Sequence, residues 1–151
     1  MKIKRIEHIA IAVKDMKRSQ DVFGTTFGID LEYEEHLPQY GTRLAMYPVG
    51  ETYIELLEAE RDDSETARWI SQHGEGLFHI CFEVDDIDDA LSELKRKGVK
   101  LIDEQPRLGH ANSRIAFIDP KATGNVLIEL VQLAESHHAS SASPATQSDR
   151  Q

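Results

Sequence analysis

His8-Ile9-Ala10-Ile11-Ala12-Val13-Lys14-Asp15 returns further along the chain as His79-Ile80-Cys81-Phe82-Glu83-Val84-Asp85-Asp86. Both copies fit the template His-Ile-x-x-x-Val-x-Asp. A second pair follows the first: Tyr53-Ile54-Glu55-Leu56 is echoed by Leu127-Ile128-Glu129-Leu130. Each half thus opens with a strand that carries a histidine and closes with a strand that carries a glutamate. A repeat of roughly 70 residues points to two similar modules sharing one core. Two imidazoles and two carboxylates placed by that repeat form the donor set of a divalent metal site.

Outward from these strands, the chain reads as two copies of one module. Residues 3–13 are a strand, and Asp15 caps a helix over 15–27 that Gly24 weakens and Gly28 ends. Strands follow at 30–36, 42–47 and 52–58, with turns at Pro38-Gln39-Tyr40-Gly41 and Pro48-Val49-Gly50-Glu51. The first module, 3–58, is therefore βαβββ. A linker over 59–76 carries a short helix that Ser64 caps and Gly74 stops. Module two, 77–132, repeats the order. It has a strand at 77–84 and a helix at 86–97 with Ile87, Ala90, Leu91 and Leu94 on one face. A strand at 99–103, a polar loop at 104–113, and strands at 114–118 and 125–132 complete it. The expected fold class is α+β, two tandem βαβββ modules in one curved mixed sheet, forming a single domain over 1–134. Ser, Ala, Thr, Gln and Pro dominate 135–151, a composition that predicts a disordered tail.

Composition narrows the functions. Of 151 residues, 40% are apolar and 29% charged, within the ordinary globular range. The net charge of −10 opposes nonspecific phosphate binding, so no nucleic-acid partner is expected. No apolar run approaches the length of a transmembrane helix. The charged start, Met1-Lys2-Ile3-Lys4-Arg5, lacks a signal-peptide core. A lone cysteine, Cys81, forms no internal disulfide. These features lead us to expect a cytoplasmic protein.

The strands of a βαβββ sheet curve into a half-open cup, and two cups related by pseudo-twofold symmetry face one cavity. A residue on the cup side in one repeat is on the cup side in the other, so His8, Glu55, His79 and Glu129 should converge. Two carboxylates cancel the 2+ charge of the ion they hold. The other candidates carry less. His110, in the 104–113 loop, is a candidate for the cavity mouth. His36 and His73 read as surface residues, and His137 and His138 as solvated tail residues. Cys81 reads as a small core residue. Asp85, Asp86, Asp88 and Asp89 read as the acidic start of a helix.

Residues 5–132 resemble the vicinal-oxygen-chelate (glyoxalase-fold) superfamily, and within it the methylmalonyl-CoA epimerases. The opening His8 to Val13 carries the likeness. So do Pro48-Val49-Gly50 with Ile54-Glu55-Leu56-Leu57-Glu58, and Gly74-Glu75-Gly76-Leu77-Phe78-His79-Ile80, similar to a G-E-G-[LI]-H-H-I run. Asp119 to Leu130 resembles H-P-K-x-[ST]-G-G-V-L-[IV]-E-L. The resemblance implies metal ligands at His8, Glu55, His79 and Glu129, one divalent ion (Co²⁺ first, with Mn²⁺, Ni²⁺ or Zn²⁺ compatible), an acyl-CoA substrate and a homodimer. It implies interconversion of (R)- and (S)-methylmalonyl-CoA through an enolate, with Glu129 as one base. There are departures. Gln39 stands where the family's P-E-Q-G carries an acid/base glutamate, and an amide cannot take the proton. Phe78 replaces a histidine, and Asp119 stands where histidine precedes Pro-Lys. Glu34, Glu35, His36 and His110 are then the candidates for the second face, with Arg114 and Lys121 as contacts for the CoA phosphates or the substrate carboxylate. The alternative is a glyoxalase I-like lyase acting on lactoylglutathione or another thiol adduct, for which one metal-bound glutamate suffices.

Overall fold

In the computed structural model, which describes residues 1–135, the two repeated stretches lie side by side. Strand β1 (Ile3–Val13) runs antiparallel to β5 (Gly76–Val84) at the centre of the molecule. Module one continues from β1 through β4 (Thr52–Ala59), β3 (Thr42–Val49) and β2 (Tyr33–Leu37). Module two continues from β5 through β8 (Ile128–Gln132), β7 (Arg114–Ile118) and β6 (Arg107–Leu108). The result is one eight-stranded mixed sheet in the order β2-β3-β4-β1-β5-β8-β7-β6. β1 is parallel to β4 as β5 is to β8, so the pseudo-twofold axis passes between β1 and β5.

Strand alternation divides the side chains between two faces. On the outer face, α1 (Met16–Gln20) buries Met16 with Val13, Ala45, Tyr47 and Leu56. The equivalent α3 (Ile87–Arg96) buries Ile87, Ala90, Leu91 and Leu94 against Val84, Ala116, Ile118, Ile128 and Leu130. Asp15 and Asp86 cap these helices, each side chain accepting from the backbone N–H three residues on. On the inner face, two further apolar groups line the cup: Ala10, Leu44, Met46 and Leu57 from module one, and Cys81, Ile115, Phe117 and Val131 from module two. Helix α2 (Glu65–His73), capped by Ser64, follows β4 and precedes β5.

Three register shifts interrupt the β1–β5 ladder, one at Ile3/Arg5 near its end and two placed symmetrically about the pseudo-twofold axis. Ile6 and His8 oppose Phe82 and Cys81, leaving Glu7 unpaired; Ala10 and Ile11 oppose His79 and Leu77, leaving Phe78 unpaired. At these two symmetric shifts the extra residue is the one before the histidine of its repeat. A bulge lets two consecutive side chains share one face, so Glu7 joins His8, and Phe78 joins His79, on the inner side.

Several boundaries differ from the sequence reading. The helix expected over 15–27 is α-helical only to Gln20 and continues over Asp21–Thr26 as a wider π-helical turn containing Gly24. The strand expected from residue 30 begins at Tyr33, and the last begins at Ile128 rather than 125. The strand expected at 99–103 reduces to a single bridge, Leu101 to Ile118. There the Asp103 carboxylate accepts from the Phe117 N–H at 2.8 Å, occupying a donor that a longer ladder would need. The edge strand is instead β6, inside the segment read as loop. Gly109 follows it because a Cβ there would lie 2.5 Å from Ile115 Cγ2. The tail expectation, with His137 and His138, lies outside the described residues. No described helix is long and apolar enough to cross a membrane.

Candidate metal centre

The four residues that the repeat singles out meet on the inner face, although His8 and Glu129 are 121 positions apart in sequence. His8 and His79 extend from the central strands, and Glu55 and Glu129 from the parallel neighbours β4 and β8. All four are at most 5% exposed. The two Nε2 atoms face each other at 3.1 Å. Glu129 Oε2 lies 2.6 Å from His79 Nε2 and 3.2 Å from His8 Nε2. Glu55 Oε1 lies 3.6 and 3.9 Å from the same His8 and His79 nitrogens. Two imidazole nitrogens and two carboxylate oxygens thus point at a common centre. Such an N₂O₂ set fits a divalent ion, and His8, Glu55 and His79 alone already bring three donor atoms close enough to share one.

The electrostatics follow from burial. Burial alone would lower the His8 pKa, yet the negative field of Glu55, with that of Glu129, raises it well above its ordinary value. Burial would raise Glu129, but the charges and hydrogen bonds of His79 and His8 hold it well below the carboxylate range. Cys81, fully buried, has its thiol pushed well up by burial and then by Glu129. It packs with Ile115, Phe117 and Val131, as expected of a core residue.

Sequence reasoning passed over Glu7. Its side chain is 2% exposed, bonds His8 Nδ1 through Oε2 and lies 3.1 Å from His110 Nε2 through Oε1. Those two contacts outweigh burial and lower its pKa to about 2. Adjacency to His8 was the available signal, but strict alternation would put Glu7 on the opposite face. His110, expected at the cavity mouth, is 4% exposed, and its ring packs edge-on against His8 with centroids 5.3 Å apart.

A cavity of about 70 Å³ opens onto Glu55, His79 and Glu129, walled by Leu44, Leu57, Phe78, His110, Ile115 and Phe117 among others. An outer groove of about 300 Å³ continues from it; Glu65, Phe78, Arg107 and Phe117 line both. Arg107 sits over the Tyr40 and Phe117 rings at 5.2 and 5.3 Å. Among the sequence's candidates for the second face, His110 lines the cavity. Glu34 bonds Gln20, Glu35 accepts from the Ala111 N–H at 2.9 Å, and His36 pairs with Glu60 at 2.5 Å on the surface. Gln39 lies in a short 3₁₀ turn, Pro38–Tyr40. Arg114 is drawn away from the cavity, since its β-strand parity points it outward and α3 offers Asp88, bound at 2.7 and 3.0 Å. Lys121 is exposed, in the turn Pro120–Ala122, and lines neither the cavity nor the groove.

Comparison with known proteins agrees with this architecture. Residues 7–117 match the family model of the glyoxalase/bleomycin resistance protein/dioxygenase superfamily. The chain is 33% identical to human mitochondrial methylmalonyl-CoA epimerase over 129 residues, covering 85% of this chain and 73% of the relative. It is 30% identical to an ethylmalonyl-CoA/methylmalonyl-CoA epimerase of Cereibacter sphaeroides, covering 87% and 99%. A Streptomyces coelicolor methylmalonyl-CoA epimerase variant, solved in complex with 2-nitronate-propionyl-CoA, superposes with a TM-score of 0.84 at 35% identity, covering 88% of this chain and 96% of that one. With its tandem modules, its curled eight-stranded sheet and this likeness over most of its length, the chain belongs to the glyoxalase/bleomycin resistance protein/dioxygenase superfamily.

Proposed function

We propose that the protein is a metal-dependent epimerase that interconverts (R)- and (S)-methylmalonyl-CoA, acting as a homodimer in the cytoplasm. The observation that carries the reading is the convergence of His8, Glu55, His79 and Glu129 at the base of an apolar-walled cavity that three of them line, in a chain similar to epimerases over most of its length. These four residues would hold one divalent ion, Co²⁺ being the first to test. When bound, the ion supplies Lewis-acid stabilisation of the negative charge that develops on the thioester oxygen. The chain's own residues do the rest. Leu44, Leu57, Ile115 and Phe117 exclude water from the acyl group. The Glu129 carboxylate, which lines the cavity, receives the proton from C2. The outer groove past Arg107 suits the long arm of a CoA thioester.

Gln39 cannot move a proton, so returning it to the other face falls to another cavity group or to water. That same residue favours a second reading, a glyoxalase I-like lyase, which needs one base only. Incubation of metal-loaded protein with methylmalonyl-CoA in D₂O, followed by NMR at C2, separates the two. Exchange with inversion supports the epimerase. Exchange without inversion means one-base chemistry, and no exchange in a metal-loaded protein refutes the reading and favours thiohemiacetal substrates.

A further inference from the structure

Glu7 is a third buried carboxylate at the centre, outside the set of four that the repeat supplies. Both its oxygens are engaged, one by His8 Nδ1 and the other by His110 Nε2 at 3.1 Å. An imidazole that ligates through Nε2 must leave that atom unprotonated; an acceptor at Nδ1 fixes the proton there and holds the ring plane. The repeat supplies an internal comparison. Phe78 occupies the matching bulge position before His79, and His79 Nδ1 is buried without a partner. The two imidazoles are alike in burial and direction, and only one has a carboxylate behind it.

The second oxygen of Glu7 reaches a different part of the fold. His110 lies in the segment joining β6 to β7, which is fastened at two other points: Tyr40 Oη donates to Leu108 O, and the Ala111 N–H donates to Glu35 Oε2. Ala111 and Asn112 hold φ of 48° and 59°, a left-handed conformation that such residues adopt when neighbouring contacts impose it. This loop walls the cavity through Gly109 and His110.

We propose that Glu7 is a positioning residue that aims His8 at the metal ion and, through His110, fastens the 108–113 loop to the same centre. The inference rests on reading His8 as a metal ligand and adds a residue to that reading. The test is calorimetric titration of the metal-free full chain with Co²⁺, together with the visible spectrum of the complex. His8→Ala abolishes binding. Glu7→Gln weakens it about ten- to a hundredfold, alters the Co²⁺ absorption and leaves the metal-free circular dichroism unchanged; Glu7→Asp restores part of the affinity. His110→Ala weakens binding by about threefold or more and adds nothing in the Glu7→Gln background, as expected of one network. Affinity and spectrum unchanged in Glu7→Gln overturn the proposal, and additive losses overturn the fastening of the loop. If Glu7→Gln fails to fold, an unchanged affinity in His110→Ala overturns the proposal. Equal binding by wild type and His8→Ala refutes instead the metal reading beneath it.

Discussion

Glu55 and Glu129 are repeat-equivalent, equally buried at 3% exposure, and both face the two imidazoles. The proposed mechanism nonetheless makes Glu129 alone the base, so replacing each with glutamine should separate the two roles. Glutamine keeps shape and one oxygen donor but cannot accept the C2 proton. A positioned general base contributes about 10²- to 10⁴-fold, or about 2.7–5.4 kcal/mol at about 1.36 kcal/mol per tenfold. Glu129 Oε2 approaches the imidazoles at 2.6 and 3.2 Å, whereas Glu55 Oε1 stays at 3.6 and 3.9 Å. Glu129→Gln therefore loses at least about a hundredfold in the C2 exchange rate at saturating Co²⁺ and saturating substrate. Glu55→Gln binds the metal more weakly, but raising the metal concentration restores exchange to within about tenfold of wild type. The assay is NMR of C2 deuteration in D₂O, with metal occupancy measured in the same samples. Equal losses from the two substitutions at full occupancy would refute the assignment of the base.

Other outcomes follow from the same geometry. Co²⁺ at a hundredfold excess over its Kd should stabilise the fold by about 2.7 kcal/mol, raising the thermal midpoint by roughly 5–10 °C. A chelator should reverse the shift, and the same rise in His79→Ala would contradict the site. In metal-free protein the pH profile has two limbs. Stability from the lowered carboxyls of Glu7 and Glu129 is complete above their ordinary pKa of about 4.3 and is lost as pH falls toward about 2. Stability from the raised His8 is complete below its ordinary pKa of about 6.5 and is lost as pH rises through the higher folded value. Urea midpoints from pH 2 to 9 should thus be highest between the two limbs, and a profile rising steadily to pH 9 would contradict the His8 assignment. Leu91→Ala, on the buried face of α3 at 2% exposure, should cost about 2–5 kcal/mol in urea denaturation while Co²⁺ affinity stays unchanged, because the inner face is untouched.

The site was legible in the sequence to the extent that alternation and repetition encode it. His8 and His79 stand at equal positions in equal strands, as do Glu55 and Glu129, so any register that buries one pair's inner face buries the other's. What alternation cannot encode is its own interruption. Glu7 and Phe78 face inward because the β1–β5 ladder bulges at each of them, and a bulge is set by cross-strand pairing between residues far apart in sequence, such as His8 with Cys81 and Ala10 with His79. His110 could be suspected from its loop, but its seat against Glu7, 103 positions away, depends on how β6 returns to the sheet.

By itself, then, the sequence determined the two βαβββ modules, the helix cap at Asp15, the acidic start of the second helix, and the four residues that meet on the inner face. Each of these depends on neighbours within one element or on the copy of that element. The tertiary structure alone decided the failure of the strand at 99–103, where the Asp103 side chain takes a ladder hydrogen bond. It decided as well the outward turn of Arg114 to Asp88, and the carboxylate that stands behind one imidazole and not the other. Those outcomes depend on which donor reaches which acceptor across the folded chain, a competition that exists only once the sheet has closed around its cavity.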